Sequence, residues 1–429
     1  MSYESKGRAS MAEGRARNAE PKVLVIVLAG GEGRRLSPLT ADRAKPAVPF
    51  GGGYRIIDFV LSNFANARYL KIVVLTQYKS HSLDRHISQT WRFSTLLGNY
   101  VTPVPAQMRR GPHWFSGSAD AVYQNLNLIS DERPDVVCVF GADHIYHMDP
   151  RQMVEQHLES GAGVTVAAIP VPIEQANQFG VIQADDDGKI IQFLEKPAAP
   201  PSMPGDETRS LASMGNYVFD TDVLVNVVTP AKDENANTDI GGDVIPALTS
   251  AGLARVYDFS TNVIPGQADH ERGYWRDVGS LDAYYDANMD LLAPVPLFSL
   301  YNAQWPMYSL QLPLPPAKLS RGADGNAARV GNSLLGAGAI VSGGIVDRSI
   351  IGPDVFIDTG AEVTDSILFP GVRVHAGARL HRCIIDKNVI IPNGMQVGIN
   401  EAVDRELFAR SDSGVVVVAK EQVFKPREL

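Results

Sequence analysis

The sequence predicts a wound, Rossmann-like α/β domain followed by a parallel β-helix. Three observations carry this. The apolar run Val23–Ala29 empties into the string Gly30-Gly31-Glu32-Gly33, short apolar runs alternate with helix-like segments to about residue 290, and branched aliphatic residues recur every 17 residues from Leu334 onward.

Val23–Ala29 reads as a strand buried on both faces. The glycines after it remove Cβ atoms where backbone N–H groups must approach an anion, and Arg35 and Lys45 add full charges. Two familiar phosphate loops are excluded by spacing. A dinucleotide fingerprint needs glycine where this chain has Leu36, and a Walker loop needs a Gly-Lys-Ser/Thr that is absent here. Ile72–Thr76 and Val136–Phe140 suit central parallel strands, Pro150–Ser160 a helix and Val164–Ile169 another strand. Phe179–Gln183 and Lys189–Glu195 flank the turn Asp185-Asp186-Asp187-Gly188, which predicts a hairpin.

Pro294, Pro296, Pro306, Pro313, Pro315 and Pro316 break up the next stretch, so it reads as an interdomain linker. Beyond it Leu334, Ile351, Leu368 and Ile385 form one column, Ile340, Ile357, Val374 and Ile391 a second, and Val346, Val363, Leu380 and Val397 a third. The columns sit six residues apart, so one apolar residue points inward on each of three short sides and the coils stack at about 4.8 Å. Four such coils leave an end to be covered, by the first domain or a second subunit. The expected boundaries are a disordered tail over 1–21, with Met11 an alternative start, the wound α/β domain over 22–290, a linker over 291–328 and the β-helix over 329–429.

Composition sets bounds on partners. With 429 residues, 45% hydrophobic and 20% charged, the chain can hold two full cores. A net charge of −9 argues against a general nucleic-acid surface, so an anionic substrate must be held by local bases. Cys138 and Cys383 lie far apart in apolar runs and are expected as reduced core residues of a cytoplasmic protein. The mixed charges of residues 1–21 suit neither a secretory signal nor a membrane anchor.

The string LAGGEGRRLSPLTADRAKPAVPFGG resembles the signature of the sugar-1-phosphate nucleotidyltransferases. IIDFVLSN from Ile56, TQYKSHSL from Thr76, GSADAVYQN from Gly117, DHIY from Asp143, FLEKP from Phe193, ASMGNYVF from Ala212 and YWRDVG from Tyr274 resemble, in this order, the glucose-1-phosphate adenylyltransferase (ADP-glucose pyrophosphorylase) family of bacterial glycogen synthesis. The resemblance spans roughly Val23 to the C-terminus. It implies a GT-A-like catalytic domain, a left-handed β-helix, a homotetramer, and transfer of AMP from ATP to glucose 1-phosphate with Mg²⁺.

For that chemistry bases and a metal matter more than a general base, because the attacking phosphate is already ionised. Asp143, at a strand end, and Asp277 are the expected metal ligands. The resemblance places Arg35 and Lys45 on the triphosphate, with Arg35 rather than Arg34 in register, and Gly30, Gly31, Gly33, Gln77, Gly117, Ser118 and Asp120 around the nucleotide. On local grounds Ser118 is equally a helix N-cap. Glu195, Lys196, Gly180, Ser213 and Phe115 are implied for glucose 1-phosphate; Phe115 departs from members with tyrosine there. Regulation by sugar phosphates or glycolytic intermediates, and by AMP or phosphate, is implied at a basic cleft between the domains, with Arg43, Arg55 and Arg382 as candidates. Asp42 stands where members activated by fructose 1,6-bisphosphate have lysine, so a different activator is expected. Three alternatives stay open: another nucleoside triphosphate, a catalytically silent regulatory subunit, and a bifunctional acyltransferase using His375 or His381.

Overall fold

The computed structural model describes residues 20–108, 113–229, 238–420, 422 and 424. Most of the tail expected over 1–21 lies outside the described residues. The apolar runs form a nine-stranded sheet. Val23–Ala29 sits at its centre, parallel to Lys71–Thr76 on one side and to Val136–Gly141 on the other, with Tyr100–Pro105 parallel at one edge. The 12-residue strand Arg209–Asp220 runs antiparallel to Val136–Gly141 and to Val164–Pro172, and its first half also meets Gly180–Ala184 of the expected hairpin. That hairpin pairs Gly180–Ala184 with Ile190–Glu195. Side chains alternate as a pleated strand requires: Val23, Val25 and Val27 join one core, and Leu24 and Ile26 the other.

A short antiparallel ribbon outside the main sheet pairs Asp277 with His144 and Trp275 with Tyr146. This pairing brings Asp277 and His144, 133 positions apart, to one strand end. Pro150–Ser160 is a helix as expected, opened by Asp149, whose side chain accepts the Arg151 N–H, and closed by Gly161 in the left-handed region.

The C-terminal part is a three-sided parallel β-helix. Its first strand, Lys318–Ser320, pairs with Ile340–Ser342, so the coils begin within the stretch expected as linker, and two of the faces have five strands. The register differs from the 17-residue columns in one coil. Leu335 pairs with Ile351 and Val341 with Ile357, so Leu335 and Val341 stand in the columns assigned to Leu334 and Ile340. The cause is the turn Gly343-Gly344, which is one residue shorter than the corresponding turn between Ile357 and Glu362.

The β-helix meets the catalytic domain along a side rather than at an end. Ile350, Ile367, Ile384 and Val417 stack outward in register and are buried against Phe50, Tyr284 and Leu291. Burying four such side chains is worth roughly 6–12 kcal/mol, so the two parts fold as one unit. The proline-rich stretch is packed as well: Phe298, Trp305 and Met307 are buried, and Trp305 Nε1–H donates to Asn63 at 3.2 Å. Cys138 and Cys383 are free and buried. Among the described residues no helix is long and apolar enough to cross a membrane.

Candidate active site

The loop after Val23–Ala29 turns back through Gly33, whose φ of +66° favours glycine and whose added Cβ would lie 3.0 Å from the Lys45 Cβ. A Cβ on Gly31 would meet no protein atom within 4 Å, so no packing contact requires glycine there. Thr40 Oγ1–H donates to the Gly33 carbonyl at 2.9 Å and fixes the turn. The loop forms one wall of a cleft of about 690 Å³, whose other walls include Gln77, Phe115, Gly117, Ser118 and Asp143. A second hollow of about 510 Å³ opens beyond Arg35 and Gly279, against Phe179, Trp275 and Asp277.

At the junction of these hollows Lys45 spans both aspartates. Its Nζ donates to Asp143 Oδ2 at 2.9 Å and to Asp277 Oδ1 at 3.1 Å, with only 9% of its side chain exposed. Burial alone would lower the ammonium, but the two carboxylates outweigh it and hold Lys45 above its ordinary value. Burial would likewise raise Asp143, yet Lys45 and His144 outweigh it and hold that carboxyl well below the usual range. Arg35 Nη2 stands 4.0 Å from Asp277 Oδ2 and is largely exposed to the cleft, whereas Arg34 is paired with Glu32 at 2.6 Å. The four residues singled out as catalytic therefore converge.

The neighbours of this quartet include groups that the sequence did not single out. His144 Nε2 lies 3.5 Å from Asp143 Oδ1 and 4.0 Å from Asp277 Oδ1, and its ring packs on Trp275 with centroids 4.8 Å apart. Gly279 makes room: a Cβ there would fall 2.8 Å from Arg35 Nη2 and 2.9 Å from Asp277 Oδ2. Both residues lie inside quoted blocks, DHIY and YWRDVG, so the signal was present without a role attached. Asp143, His144 and Asp277 offer ligand atoms within 4.8 Å of one another, and a set led by carboxylate oxygens fits a hard divalent cation.

The nucleotide-side residues are held by one another. Gln77 exchanges hydrogen bonds with Phe115, accepting its N–H at 2.7 Å and donating to its carbonyl at 3.3 Å. Asp120 is buried and accepts from Ser116 N–H, Ser116 Oγ–H and Gln124 Nε2–H, so it shapes the loop. Ser118 is not the cap of its helix, a place taken by Gly117; its Oγ–H donates to Asp239 at 2.9 Å and accepts the Ile240 N–H at 2.7 Å. Gly117 is required by packing, because its Cβ would sit 2.1 Å from the Thr238 carbonyl oxygen. Asp239 carried no signal in the sequence.

On the expected sugar side, Glu195 pairs with Gly180 across the hairpin and with Lys196 at 2.7 Å. A Cβ on Gly180 would meet the Phe193 ring at 2.4 Å and Glu195 Oε2 at 3.1 Å. Ser213 bonds to Tyr217, and the charges of Glu195 and Asp239 both reach that phenol. These residues sit together beside the two hollows rather than lining either, apart from Phe179 and Phe115.

The expected regulatory arginines divide. Arg43 donates to Asp386 of the β-helix at 2.9 Å, both buried. Arg55 lines an interdomain cleft of about 650 Å³ together with His81, Arg85 and Lys387. Burial lowers Arg55 to about 10, and burial with the charges of Arg55 and Arg43 lowers Lys387 to about 7 against the pull of Asp386. Arg382 does not line this cleft. Its guanidinium covers the Tyr285 ring at 5.2 Å and bonds to Ser413 at 3.0 Å, and Lys387 is the β-helix base that faces Arg55. Asp42 lies 3.7 Å from Lys420.

A family model described as nucleotidyl transferase matches residues 24–293, and one described as GlmU-like, C-terminal hexapeptide matches residues 315–418. The chain is 56% identical to the glucose-1-phosphate adenylyltransferase of Corynebacterium jeikeium, over 94% of this chain and 98% of that protein. It is 57% identical to the one of Mycobacterium ulcerans, over 93% of this chain and 98% of the relative. With that of Mycolicibacterium smegmatis the identity is 56%, over the same shares. The chain that brings Lys45, Asp143 and Asp277 together beneath a glycine loop belongs to the glucose-1-phosphate adenylyltransferase family of nucleotidyltransferases.

Proposed function

We propose that this chain transfers AMP from ATP to glucose 1-phosphate, giving ADP-glucose for α-glucan synthesis. The observation that carries the reading is Lys45 bridging Asp143 and Asp277 where the two hollows meet. An oxygen of the sugar phosphate bonds to the α-phosphorus of ATP, the bond from that phosphorus to the bridging oxygen breaks, and pyrophosphate departs with the electron pair. No base is needed to activate an ionised phosphate. Lys45 and Arg35 orient the triphosphate and neutralise the departing charge. Glu195 holds sugar hydroxyls and Lys196 the sugar phosphate. Asp143 and Asp277 would hold Mg²⁺, which when bound supplies positive charge at the phosphates.

Gly30, Gly31 and Gly33 lead the backbone to the phosphates, while Gln77, Gly117, Ser118 and Asp120 shape the base pocket. The cleft of Arg55 and Lys387, with Arg43 behind it, suits an anionic effector, and Asp42 disfavours fructose 1,6-bisphosphate as activator. We place the enzyme in the cytoplasm as a homotetramer. Purified protein with Mg²⁺ and glucose 1-phosphate should release pyrophosphate with ATP far faster than with UTP, GTP, CTP or dTTP. Preference for another nucleotide overturns the base assignment, and silence with all five, even with sugar phosphates added, overturns catalysis.

A further inference from the structure

We propose, on the metal reading given above, that Asn63 is a positioning residue that fixes the separation of Asp143 and Asp277 from outside both hollows. The two aspartates ride on the ribbon of His144–Tyr146 and Trp275–Asp277, two strands of three residues each that stand apart from the nine-stranded sheet. A two-stranded ribbon is marginal in water, because each strand leaves one edge of backbone groups unpaired. Asn63, in helix Ile56–Asn66, closes that edge. Its Nδ2–H donates to the Tyr146 carbonyl at 3.1 Å, and its Oδ1 accepts the Met148 N–H at 3.1 Å. A primary amide carries the donor and acceptor of a peptide group, so this side chain stands in for a third strand.

Asn63 is 2% exposed, so without its amide the Tyr146 carbonyl and the Met148 N–H would be left unpaired away from water, and the strand would shift to recover partners. Such a shift bears on both carboxylates. Asp143 lies three residues before Tyr146 on the same chain, and Asp277 is paired opposite His144. Mg²⁺ holds its oxygen ligands in near-octahedral geometry at about 2.0–2.1 Å and tolerates little drift in their spacing. The amide is itself oriented by the proline-rich stretch. Trp305 Nε1–H donates to Asn63 Oδ1 at 3.2 Å, and because only the oxygen can accept, the indole fixes which way the amide faces. The stretch follows the helix beyond this point: Asn66 donates to the Pro306 carbonyl at 2.9 Å, and Ser62 Oγ accepts the Tyr308 N–H at 2.8 Å. Asn63 alone of these three helix residues also bonds the ribbon.

The test measures Mn²⁺ binding to the full chain by electron paramagnetic resonance, with the α,β-methylene analogue of ATP, which cannot release pyrophosphate, in the active site. Steady-state kinetics and Tm are read on the same proteins. Asn63→Leu keeps the volume and removes the amide; it should weaken Mn²⁺ by about tenfold or more and lower kcat by a similar factor, with KM for glucose 1-phosphate nearly unchanged. Trp305→Phe keeps a ring and removes only the N–H that orients the amide, and should weaken Mn²⁺ by about threefold. Ser62→Ala loses a bond to the same proline-rich stretch but none to the ribbon, so it should lower Tm while Mn²⁺ affinity and kcat hold. Parent-like Mn²⁺ affinity and kcat in Asn63→Leu, whatever its Tm, or an equal loss in Ser62→Ala, would overturn the proposal. Should Asn63→Leu fail to fold, unchanged Mn²⁺ affinity in Trp305→Phe overturns it. A parent chain that binds no Mn²⁺ overturns the metal reading itself.

Discussion

Replacing Lys45 by methionine keeps most of the stem's apolar volume and removes the one charge shared by Asp143 and Asp277. Taking one partner from a fully buried ion pair costs about 3–5 kcal/mol. Here 39% of the Asp143 side chain is exposed to the cleft, so solvent screens part of the loss and about 2–3 kcal/mol is expected in metal-free protein. For a cooperative unit of about 400 residues that is a fall in Tm of roughly 2–4 °C. A divalent cation can replace the missing charge, and at a hundredfold excess over its Kd it returns about 2.7 kcal/mol. Lys45→Met should therefore gain more thermal stability from Mg²⁺ than the parent does, while kcat falls by about 10²–10³ through loss of a charge aimed at the leaving phosphates. The pH dependence follows from the shifts. Asp143 is held low, so its share is complete above the ordinary carboxylate value and is lost as pH falls through its folded value; Lys45 is held high, so its share is complete below its ordinary value of 10.5 and is lost as pH rises beyond it. The stability gap between parent and variant should be widest from about pH 5 to pH 10 and close at both ends. Differential scanning calorimetry across pH, with and without Mg²⁺, reads the stability changes, and pyrophosphate release reads kcat. A variant with the parent's Tm and the parent's response to Mg²⁺, or with kcat within tenfold, refutes the bridging role.

Gly279→Ala places a methyl 2.8 Å from Arg35 and 2.9 Å from Asp277, and because both are flexible ends the fold should survive. A displacement of a few tenths of an ångström at the reacting phosphates should lower kcat by about tenfold or more with Tm nearly unchanged; unchanged turnover would refute it. Gly117→Ala instead drives a methyl to within 2.1 Å of the Thr238 backbone carbonyl, and should lose about 2–4 kcal/mol in a denaturant titration. Lys387, lowered to about 7 by burial and then by Arg55, Arg43 and Lys420 with Asp386 opposing, is largely neutral at pH 8, so an anionic effector should bind with proton uptake and more tightly at pH 6.5 than at pH 8.5. Calorimetry in buffers of different ionisation enthalpy would show this, and Lys387→Gln should abolish it. The same shift means that the unfolded chain holds more protons than the folded one between about pH 7 and pH 10, so stability from this group rises with pH in that window. Asp386→Asn leaves Arg43 buried without its counter-charge and should cost about 2–4 kcal/mol; if Arg43 also sets the Lys45 loop, kcat should fall while effector-free KM values hold, and an unaltered kcat would separate the two.

The parallel sheet was legible because its strands are continuous apolar runs bounded by glycine and polar residues, and Val23–Ala29 and Val136–Phe140 emerge within a residue of the expected limits. The β-helix was legible from its period, since every inward position is branched and aliphatic. The first coil was misregistered because Leu334-Leu335 and Ile340-Val341 each offer two adjacent apolar residues, and only the length of the glycine turn at 343–344 decides which one points inward. Nothing in a column of isoleucines states that its neighbours Ile350, Ile367 and Ile384 cover another domain, so the side-on docking was invisible. Of the expected quartet, Arg35 and Lys45 were legible because they follow the glycine string and Asp143 because it follows a strand end, whereas Asp277 rested on the resemblance. Gly117 was given a nucleotide role when its immediate demand is the Thr238 carbonyl, a contact across 121 positions that spacing cannot reveal. The resemblance groups Arg382 with Arg43 and Arg55, yet it is Lys387, five residues further on, that faces the cleft, because one turn of the coil carries the chain to another side of the prism.

If the interdomain cleft holds an effector, as proposed, the position of Arg43 would let it act on chemistry inside the catalytic domain. Arg43 and Lys45 are two residues apart; the first is held by Asp386 of the β-helix and the second by the two active-site carboxylates. Such a short segment has little slack, since consecutive Cα atoms lie about 3.8 Å apart and the intervening Ala44 is buried, its N–H tied to the Lys79 carbonyl at 3.3 Å. The Asp386 carboxylate also accepts the backbone N–H of Lys387, so a ligand drawing Lys387 toward the cleft pulls on the group that fixes Arg43. Arg43 Nη1 is buried and has no hydrogen-bond partner among the described residues, so this ion pair is not fully satisfied there and has less to lose by shifting than a saturated one. An effector thus need not move a domain. A small displacement at Asp386 reaches Lys45 through two peptide units, and kcat rather than substrate affinity is the quantity it should change.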